Sequence, residues 1–260
     1  MQRFDNKIAL ITGSASGLGR QAALRFASLG ATVAGADILG GENAQTAAMV
    51  EAQGGRMYTG DSVDLTDEAS VAEWTENAVS QLGGIDVLYA NAGATKFSPV
   101  AQTSLEEWQW VMKNELDLVF LPIKHSWNHL AKTQGNIVLV GSTAGVSGSM
   151  TNNRAAHSAA RGGIIALGKQ LAGEGAVQGI RVNTVSPGVI RTPATENDLL
   201  APDHPMRNIA KAIPLGRLGD PDDVINCVIF LASEQARYVT GVNLMVDGGW
   251  SAVLPGYGVV

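Results

Sequence analysis

Short apolar, β-branched runs alternate with longer segments of helical spacing, and this alternation constrains the fold more than any other feature of the sequence. The predicted strands are Ile8–Thr12, Thr32–Ala36, Val87–Ala90, Ile137–Val140, Arg181–Val185 and Asn243–Val246. The predicted helices are Gly17–Leu29, Glu42–Gln53, Thr66–Leu82, Ser104–Leu130, Ala155–Gln178 and Pro221–Ser233. Strands joined through helices form right-handed βαβ units, so both faces of a parallel sheet are covered. The sequence therefore predicts a doubly wound α/β fold in a single domain, residues 1–260.

One segment interrupts this alternation. Residues 191–214 contain four prolines and mix polar with apolar side chains. In a doubly wound fold, ligands bind beyond the carboxyl ends of the strands, where such an excursion can cover them. We therefore predict a substrate lid at about residues 191–214.

Charge and cysteine content exclude several classes of protein. The chain has 18 Lys and Arg against 24 Asp and Glu, a net charge of −6, so no basic surplus is present to neutralise nucleic acid. The single cysteine, Cys227, excludes a disulfide framework. No run reaches the ~18 apolar residues of a membrane span, and the first apolar run is too short for a signal peptide. We expect a soluble cytoplasmic protein with no nucleic-acid or membrane partner.

A glycine-rich turn follows the first predicted strand and leads into a helix. Its residues are Gly13, Ser14, Ala15, Ser16, Gly17, Leu18 and Gly19. Glycines let the backbone approach a pyrophosphate, and the helix N-terminus adds N–H groups and a positive dipole end. Three residues separate the first two glycines, whereas the common dinucleotide fingerprint has one. A tight turn with no ligand is the alternative interpretation.

Asp37, at the end of the second predicted strand, favours the dinucleotide interpretation. A carboxylate there can accept hydrogen bonds from an adenosine ribose. No Arg or Lys is adjacent to it in the sequence, so an added 2′-phosphate would be repelled. We predict NAD(H) as the cofactor rather than NADP(H).

Further motifs make the chain resemble the short-chain dehydrogenase/reductase family over essentially its whole length. They include Asp64-Leu65, Asn91-Ala92-Gly93 and the segment Pro187–Thr192. The resemblance implies a Rossmann-type fold, adenine contact at Asp64-Leu65 and nicotinamide contact at Ile190 and Thr192. The implied cofactor-binding residues are Gly13, Ser16, Gly17, Leu18, Gly19, Asp37, Asp64, Leu65, Asn91, Ala92, Gly93, Arg161, Pro187, Gly188, Ile190 and Thr192.

The catalytic positions depart from the family pattern, which has Asn, Ser, Tyr and Lys. Here Ser142 is retained, while His157 and Arg161 stand where the family has Tyr-x-x-x-Lys. Alignment of the preceding helix places Glu115 at the Asn position. Asn114 is adjacent, but a slip of one residue rotates a helical position by about 100°. The predicted tetrad is therefore Glu115, Ser142, His157 and Arg161.

Two residues more than is typical of the family separate Ser142 from His157. The segment Met150–Arg154 is the place where we expect this insertion.

These replacements are chemically compatible with one another. A histidine exchanges protons near neutral pH, so His157 can act as an acid or base unaided. Arg161 keeps a permanent positive charge and donors for ribose hydroxyls. Glu115 can orient His157 or pair with Arg161, and Ser142 can donate a hydrogen bond to the substrate oxygen. We predict an NAD(H)-dependent oxidoreductase that interconverts a small alcohol and a carbonyl compound.

Two other functions stay open. A lyase or isomerase could use Glu115 and His157 as an acid–base pair without net redox change. A non-catalytic nucleotide-binding subunit would result if the positions had drifted after catalysis was lost. Three ionisable side chains in one pocket favour a redeployed catalytic site over drift.

Metal binding and assembly complete the sequence predictions. His125 and His129 are four residues apart on a predicted helix but have no evident third ligand, so no metal site is predicted. The family pairs the helices that correspond to Ser104–Leu130 and Ala155–Gln178 across a dimer interface. The resemblance therefore implies a homo-oligomer, a dimer or a tetramer.

Overall fold

A computed structural model describes residues 2–197, 203–204 and 206–253. Within these residues, parallel strands form one seven-stranded sheet in the order β3-β2-β1-β4-β5-β6-β7. The strands are β1 (Ile8–Thr12), β2 (Thr32–Ala36), β3 (Arg56–Thr59), β4 (Val87–Ala90), β5 (Asn136–Val140), β6 (Arg181–Pro187) and β7 (Asn243–Val246). The predicted single-domain, doubly wound parallel α/β fold is confirmed.

Helices cover both faces of this sheet. They are α1 (Gly17–Ser28), α2 (Gly40–Ala52), α3 (Glu68–Leu82), α4 (Leu105–Met112), α5 (Leu118–Thr133), α6 (Ala155–Ala176), α7 (Pro193–Asn197) and α8 (Pro221–Ala232). A π-helical turn, Lys113–Asp117, connects α4 to α5. One apolar cluster includes Phe26 of α1 and Val228 of α8, and the other includes Trp74 of α3. Because both faces are buried, the central strands are apolar on both sides.

The edge strand β3 shows where the apolar pattern is least informative. β3 reads Arg-Met-Tyr-Thr and is missing from the predicted strands. It lies at the edge of the sheet and pairs with β2 alone. Arg56 is exposed while Met57 is buried, so the strand needs little apolar sequence. An edge strand of this composition gives no continuous β-branched run.

The winding reverses between β1 and β4. β1 pairs with β2 on one side and with β4 on the other, although β2 and β3 precede β4 in the sequence. At such a switch point the connections after the two strands diverge and leave a crevice beyond their carboxyl ends. The turn at 13–19 follows β1 and the Asn91–Gly93 segment follows β4, so both lie at this crevice.

Part of the predicted lid at 191–214 is described. It contains α7 and a 3-10 turn, Ile209–Ala212, while residues 198–202 and 205 lie outside the described residues. Met206 and Ile213 are buried in a small apolar cluster, and Trp250 packs against it. These contacts hold the carboxyl-terminal part of the segment, from Met206 to Ile213, beside β6 and β7.

No helix in the described part of the chain is long and apolar enough to cross a membrane.

Candidate active site

The glycine-rich turn has a backbone that excludes side chains at its key positions. Gly13 and Gly17 have φ values of +70° and +51°, a region that L side chains rarely adopt. A Cβ on Gly13 would lie 2.9 Å from Ala92 Cα, and one on Gly19 would lie 1.9 Å from the Gly13 carbonyl oxygen. The three glycines therefore let the turn, the start of α1 and the end of β4 come together.

A cleft of about 420 Å³ lies at the switch point. Eleven of the sixteen predicted cofactor residues line it: Gly13, Ser16, Gly17, Leu18, Asp37, Asp64, Leu65, Asn91, Ala92, Gly93 and Thr192. Gly19, Arg161, Pro187, Gly188 and Ile190 do not line it. The volume falls in the range of about 300–1,000 Å³ that is typical of small-molecule and cofactor sites.

Two carboxylates mark one end of this cleft. The oxygens of Asp37 accept hydrogen bonds from the backbone N–H groups of Ala15 and Leu39, each at 3.0 Å. Asp64 accepts from the Thr66 hydroxyl at 2.7 Å and from the Thr66 backbone N–H at 2.8 Å. These two bonds, the hydroxyl's first, hold the pKa of Asp64 below its ordinary value.

A positively charged side chain, Arg20, lies close to the glycine-rich turn, a proximity that was not apparent from the sequence. The Arg20 guanidinium donates to the Ala15 carbonyl oxygen, and its Nε donates to Thr46 Oγ1 at 3.0 Å. Because Arg20 is seventeen positions before Asp37, sequence adjacency did not reveal it. Helix α1 places Arg20 beside Ala15, whose backbone N–H donates to Asp37.

Glu115 lies between the two replaced catalytic positions. It is only 1% exposed, and its two carboxylate oxygens lie 2.8 and 2.9 Å from His157 Nδ1. Arg161 Nη2 donates to the same carboxylate at 3.0 Å, and Arg161 Nη1 donates to the Val140 carbonyl at 3.0 Å. Both contacts considered for Glu115 from the sequence, orienting His157 and pairing with Arg161, are therefore present together.

Local structure explains why these three side chains meet. His157 and Arg161 are four residues apart on α6, so they lie on the same face of the helix. Glu115 lies in the π-helical turn, a type of irregularity that is common at functional sites. A Cβ on Gly93 would come within 2.6 Å of Arg161 Nη2, so the guanidinium needs the space that this glycine leaves.

Asn114 faces a different surface from its neighbour Glu115. It lines the large cleft, its carbonyl accepts from the Ala94 N–H at 3.0 Å, and its Nδ2 donates to the Trp110 carbonyl at 2.9 Å. The different directions agree with the rotation expected for one helical step. Glu115, and not Asn114, is the residue beside His157.

A second, smaller cavity of about 130 Å³ brings Ser142 and His157 together. It is also lined by Phe97, Thr143, Asn152, Arg154, Gly188, Val189, Ile190, Thr195, Met206 and Trp250. Ser142 Oγ accepts from the Ala144 N–H at 3.0 Å. The Phe97 ring meets the His157 ring edge-on, with centroids 5.6 Å apart. Gly188 and Ile190 belong to this cavity rather than to the large cleft.

Most residues around the small cavity belong to segments that the sequence analysis singled out. Thr195 and Met206 come from the predicted lid segment, and the segment Met150–Arg154, where an insertion was expected, supplies two more. Phe97, in the loop after β4, and Trp250, in the carboxyl-terminal segment, carried no signal in the sequence.

The two histidines weighed as metal ligands contact separate acids. His125 Nε2 lies 3.3 Å from Glu68, and His129 Nε2 lies 3.1 Å from Glu76. Among the residues that the structure describes, no three His, Cys, Asp or Glu side chains gather into a metal-binding group.

Comparison with known proteins adds an independent finding. Residues 13–251 match the family model described as Enoyl-(Acyl carrier protein) reductase. The chain is 37% identical over 254 residues to 2,5-dichloro-2,5-cyclohexadiene-1,4-diol dehydrogenase LinX of Sphingobium indicum, covering 96% of this chain and 98% of the relative.

Solved structures resemble the whole fold. A short-chain type dehydrogenase/reductase from Mycobacterium marinum superposes with a TM-score of 0.90 at 30% identity, covering 96% of this chain and 98% of that one. A 7α-hydroxysteroid dehydrogenase complexed with NADH and 7-oxo glycochenodeoxycholic acid gives a TM-score of 0.89 at 27% identity, covering 95% of each chain.

Proposed function

Because the chain belongs to the short-chain dehydrogenase/reductase family, we propose that it is an NAD(H)-dependent oxidoreductase that interconverts a small alcohol and a carbonyl compound. The observation that carries this proposal is the contact between the buried Glu115 carboxylate and His157 Nδ1, at 2.8 Å, in a cavity shared with Ser142. The family relatives named above are dehydrogenases and reductases, and one of them is complexed with NADH.

The residues of the large cleft fit a dinucleotide. The side-chain-free turn at Gly13, Gly17 and Gly19 suits a pyrophosphate, and Asp37 suits the adenosine ribose. Asp64 and Leu65 would contact the adenine, while Asn91, Gly93 and Thr192 line the other end. When bound, the nicotinamide supplies the acceptor or donor of a hydride.

His157 is the proton carrier on this proposal. Since Nδ1 faces a carboxylate, the neutral ring holds its proton on Nδ1 and leaves the Nε2 lone pair available as a base. During alcohol oxidation Nε2 accepts the hydroxyl proton, and during carbonyl reduction the imidazolium returns it. Ser142 donates a hydrogen bond to the reacting oxygen.

Arg161 and Glu115 support the histidine. Arg161 balances the charge of Glu115, and its Nε is buried without a hydrogen-bond partner among the described residues. Its Nη2 lies beside Gly93, which lines the large cleft, and we assign to this end of the guanidinium a hydroxyl of the nicotinamide ribose. Glu115 is held by two donors at once, which suits an orienting role and leaves it less available as the second base of a lyase or isomerase.

We also propose that the protein assembles as a homo-oligomer through α4 and α5. Leu105, Trp108 and Phe120 are 71%, 38% and 45% exposed on these two helices. Exposed apolar side chains clustered on neighbouring helices are typical of a surface that a partner covers. Sedimentation of the purified protein tests this, and a monomer at micromolar concentration would contradict it.

The enzymatic proposal is tested by following nicotinamide absorbance with a panel of alcohols and ketones. Oxidation requires neutral His157, so its rate should rise with pH, and reduction should show the opposite trend. His157→Gln should remove at least a hundredfold of the rate and flatten both profiles. His129→Gln is the matched control, because this histidine contacts Glu76 away from the cavity. A glutamine variant at position 157 with full rate and unchanged profile would exclude His157 as the proton carrier.

A further inference from the structure

The small cavity carries a positive charge without an acidic partner. Arg154, the residue that immediately precedes α6, lines this cavity with His157 and Ser142. None of the described residues that line it is an Asp or a Glu. The polarity of the cavity is therefore set by one permanent cation and by neutral donors and acceptors.

Not every hydrogen-bond donor of Arg154 has a partner among the described residues. Its Nη2 donates to the Ser147 carbonyl at 3.2 Å. Its Nε is shielded from solvent and has no hydrogen-bond partner, and the side chain forms no salt bridge with any described residue. Burial without a counter-charge lowers the pKa of the Arg154 guanidinium. A buried donor of this kind is costly unless a partner arrives.

The charged groups of the neighbouring described residues do not neutralise the positive charge of Arg154. Among the described residues, no carboxylate lines this cavity, and Glu115, which contacts His157, is already paired with Arg161 at 3.0 Å. The first turn of α6, which follows Arg154, contains no acidic residue, and the N-terminus of a helix is itself positive. One positive charge is therefore left over beside the proton carrier.

We infer that the substrate carries a carboxylate which Arg154 binds, so that the protein acts on a short-chain hydroxy acid and the corresponding oxo acid. This inference rests on the proposed oxidoreductase function. The planar guanidinium matches a carboxylate with two parallel hydrogen bonds. The cavity, at about 130 Å³, is much smaller than the cleft of about 420 Å³ at the switch point, which favours a short substrate. Oxidation of the alcohol carbon then sends a hydride to NAD⁺ and a proton to His157.

The test separates binding from turnover. Short hydroxy and oxo acids, and the uncharged amides of the same compounds, are titrated into the protein with NAD⁺ or NADH by calorimetry. The same compounds are then assayed by nicotinamide absorbance. We expect the acids to bind at least tenfold more tightly than the amides.

The variants assign this preference to Arg154. In Arg154→Gln the affinity for acids should fall tenfold to a hundredfold, the range of one charge-assisted hydrogen bond, while amide binding is unchanged. Arg154→Lys should retain part of the preference for acids over amides, because lysine keeps the positive charge but lacks the planar group that forms two parallel hydrogen bonds. Arg237→Gln, an exposed arginine away from the cavity, is the control and should behave as wild type.

The outcomes distinguish this inference from the enzymatic proposal. Equal binding of acids and amides by the wild type, or an equal loss of both in Arg154→Gln, overturns the inference. Turnover of neutral alcohols without any preference for acids does so as well, and leaves the oxidoreductase proposal standing. Arg154-dependent binding of acids with no change in nicotinamide absorbance supports the carboxylate site and contradicts the redox function.

Discussion

Replacing Glu115 by glutamine is the sharpest perturbation of the site. The change keeps the size of the side chain but removes the negative charge that His157 and Arg161 share. An amide also presents an NH₂ group, which can donate to His157 Nδ1 and favour the wrong tautomer. We expect both stability and catalysis to fall, for two separable reasons.

The loss of stability follows from Arg161. Its side chain is only 10% exposed, and in the variant it would keep only neutral acceptors, the Val140 carbonyl and the new amide oxygen. Removing one member of a buried ion pair costs about 3–5 kcal/mol, because the other charge is left uncompensated. The double variant Glu115→Gln/Arg161→Met removes that charge as well. It should recover most of the unfolding free energy, so the two changes are strongly non-additive.

The loss of catalysis follows from His157. Without a carboxylate at Nδ1 the productive tautomer and the imidazolium both lose their support, and kcat should fall by about 10²- to 10⁴-fold. The double variant also loses the Arg161 donor assigned to the ribose, so its activity does not separate the two roles of Glu115. A changed tautomer of His157 in Glu115→Gln alone would distinguish an orienting role from a merely structural one.

Three measurements check this prediction. Urea unfolding gives the free energy, steady-state kinetics give kcat, and nitrogen-15 NMR of the histidine ring gives the tautomer. Glu174→Gln, an exposed glutamate on α6 that contacts Gln170, serves as the matched control. If Glu115→Gln unfolds within 1 kcal/mol of the wild type, or keeps the same tautomer and rate, the charge-sharing arrangement is not what holds His157.

Other predictions follow from single contacts. Asp37→Ala should remove a preference of about 1–3 kcal/mol for NAD(H) over NADP(H), and calorimetry showing no change would remove Asp37 from the cofactor site. Gly93→Ala brings a Cβ within 2.6 Å of the tetrad's guanidinium and should cost about 1–3 kcal/mol in thermal unfolding. Gly173→Ala, which meets nothing within 4 Å, should be neutral or stabilising, and equal effects of the two would refute the steric argument. The side chain of Arg217 lowers the pKa of Asp223 from 3.8 to about 2, so the carboxylate stabilises the fold above pH 3.8 and loses this effect as pH falls through 2. Asp223→Asn should therefore lower the unfolding free energy by about 1 kcal/mol at neutral pH, with the difference disappearing near pH 2 in acid titration.

The architecture could be predicted because its signals are local. Strands β1 and β4 are apolar from Ile8 to Ile11 and from Val87 to Ala90, because both faces of the sheet are covered there. Gly13 and Gly19 stand where two backbones touch, and Gly17 has a φ of +51°, so each position favours a residue without a side chain. β3 was not predicted, because an edge strand is only partly buried and therefore needs no continuous apolar run.

For the candidate site, the sequence indicates residues that the structure brings together, but it does not indicate their contacts. The family alignment identified Glu115, yet nothing in the sequence shows that a π-helical turn would aim it at His157 and Arg161 together. Arg154 illustrates the same limit, because its lack of a counter-charge depends on residues from α6, the lid segment and the carboxyl-terminal segment. Hydrogen-bond satisfaction is a property of the assembled cavity, and no spacing rule expresses it.

The charges of the tetrad explain why its replacements depend on one another. In the resting state Glu115 and Arg161 cancel, and His157 is neutral on the proposed mechanism. When His157 takes up a proton, the new positive charge forms 2.8 Å from the same carboxylate, so Glu115 then serves two cations. A neutral asparagine at position 115 could hold the imidazole but could not offset the imidazolium. On the proposed mechanism, the carboxylate at position 115 thus makes a histidine usable at position 157, and Arg161 allows that carboxylate to be buried.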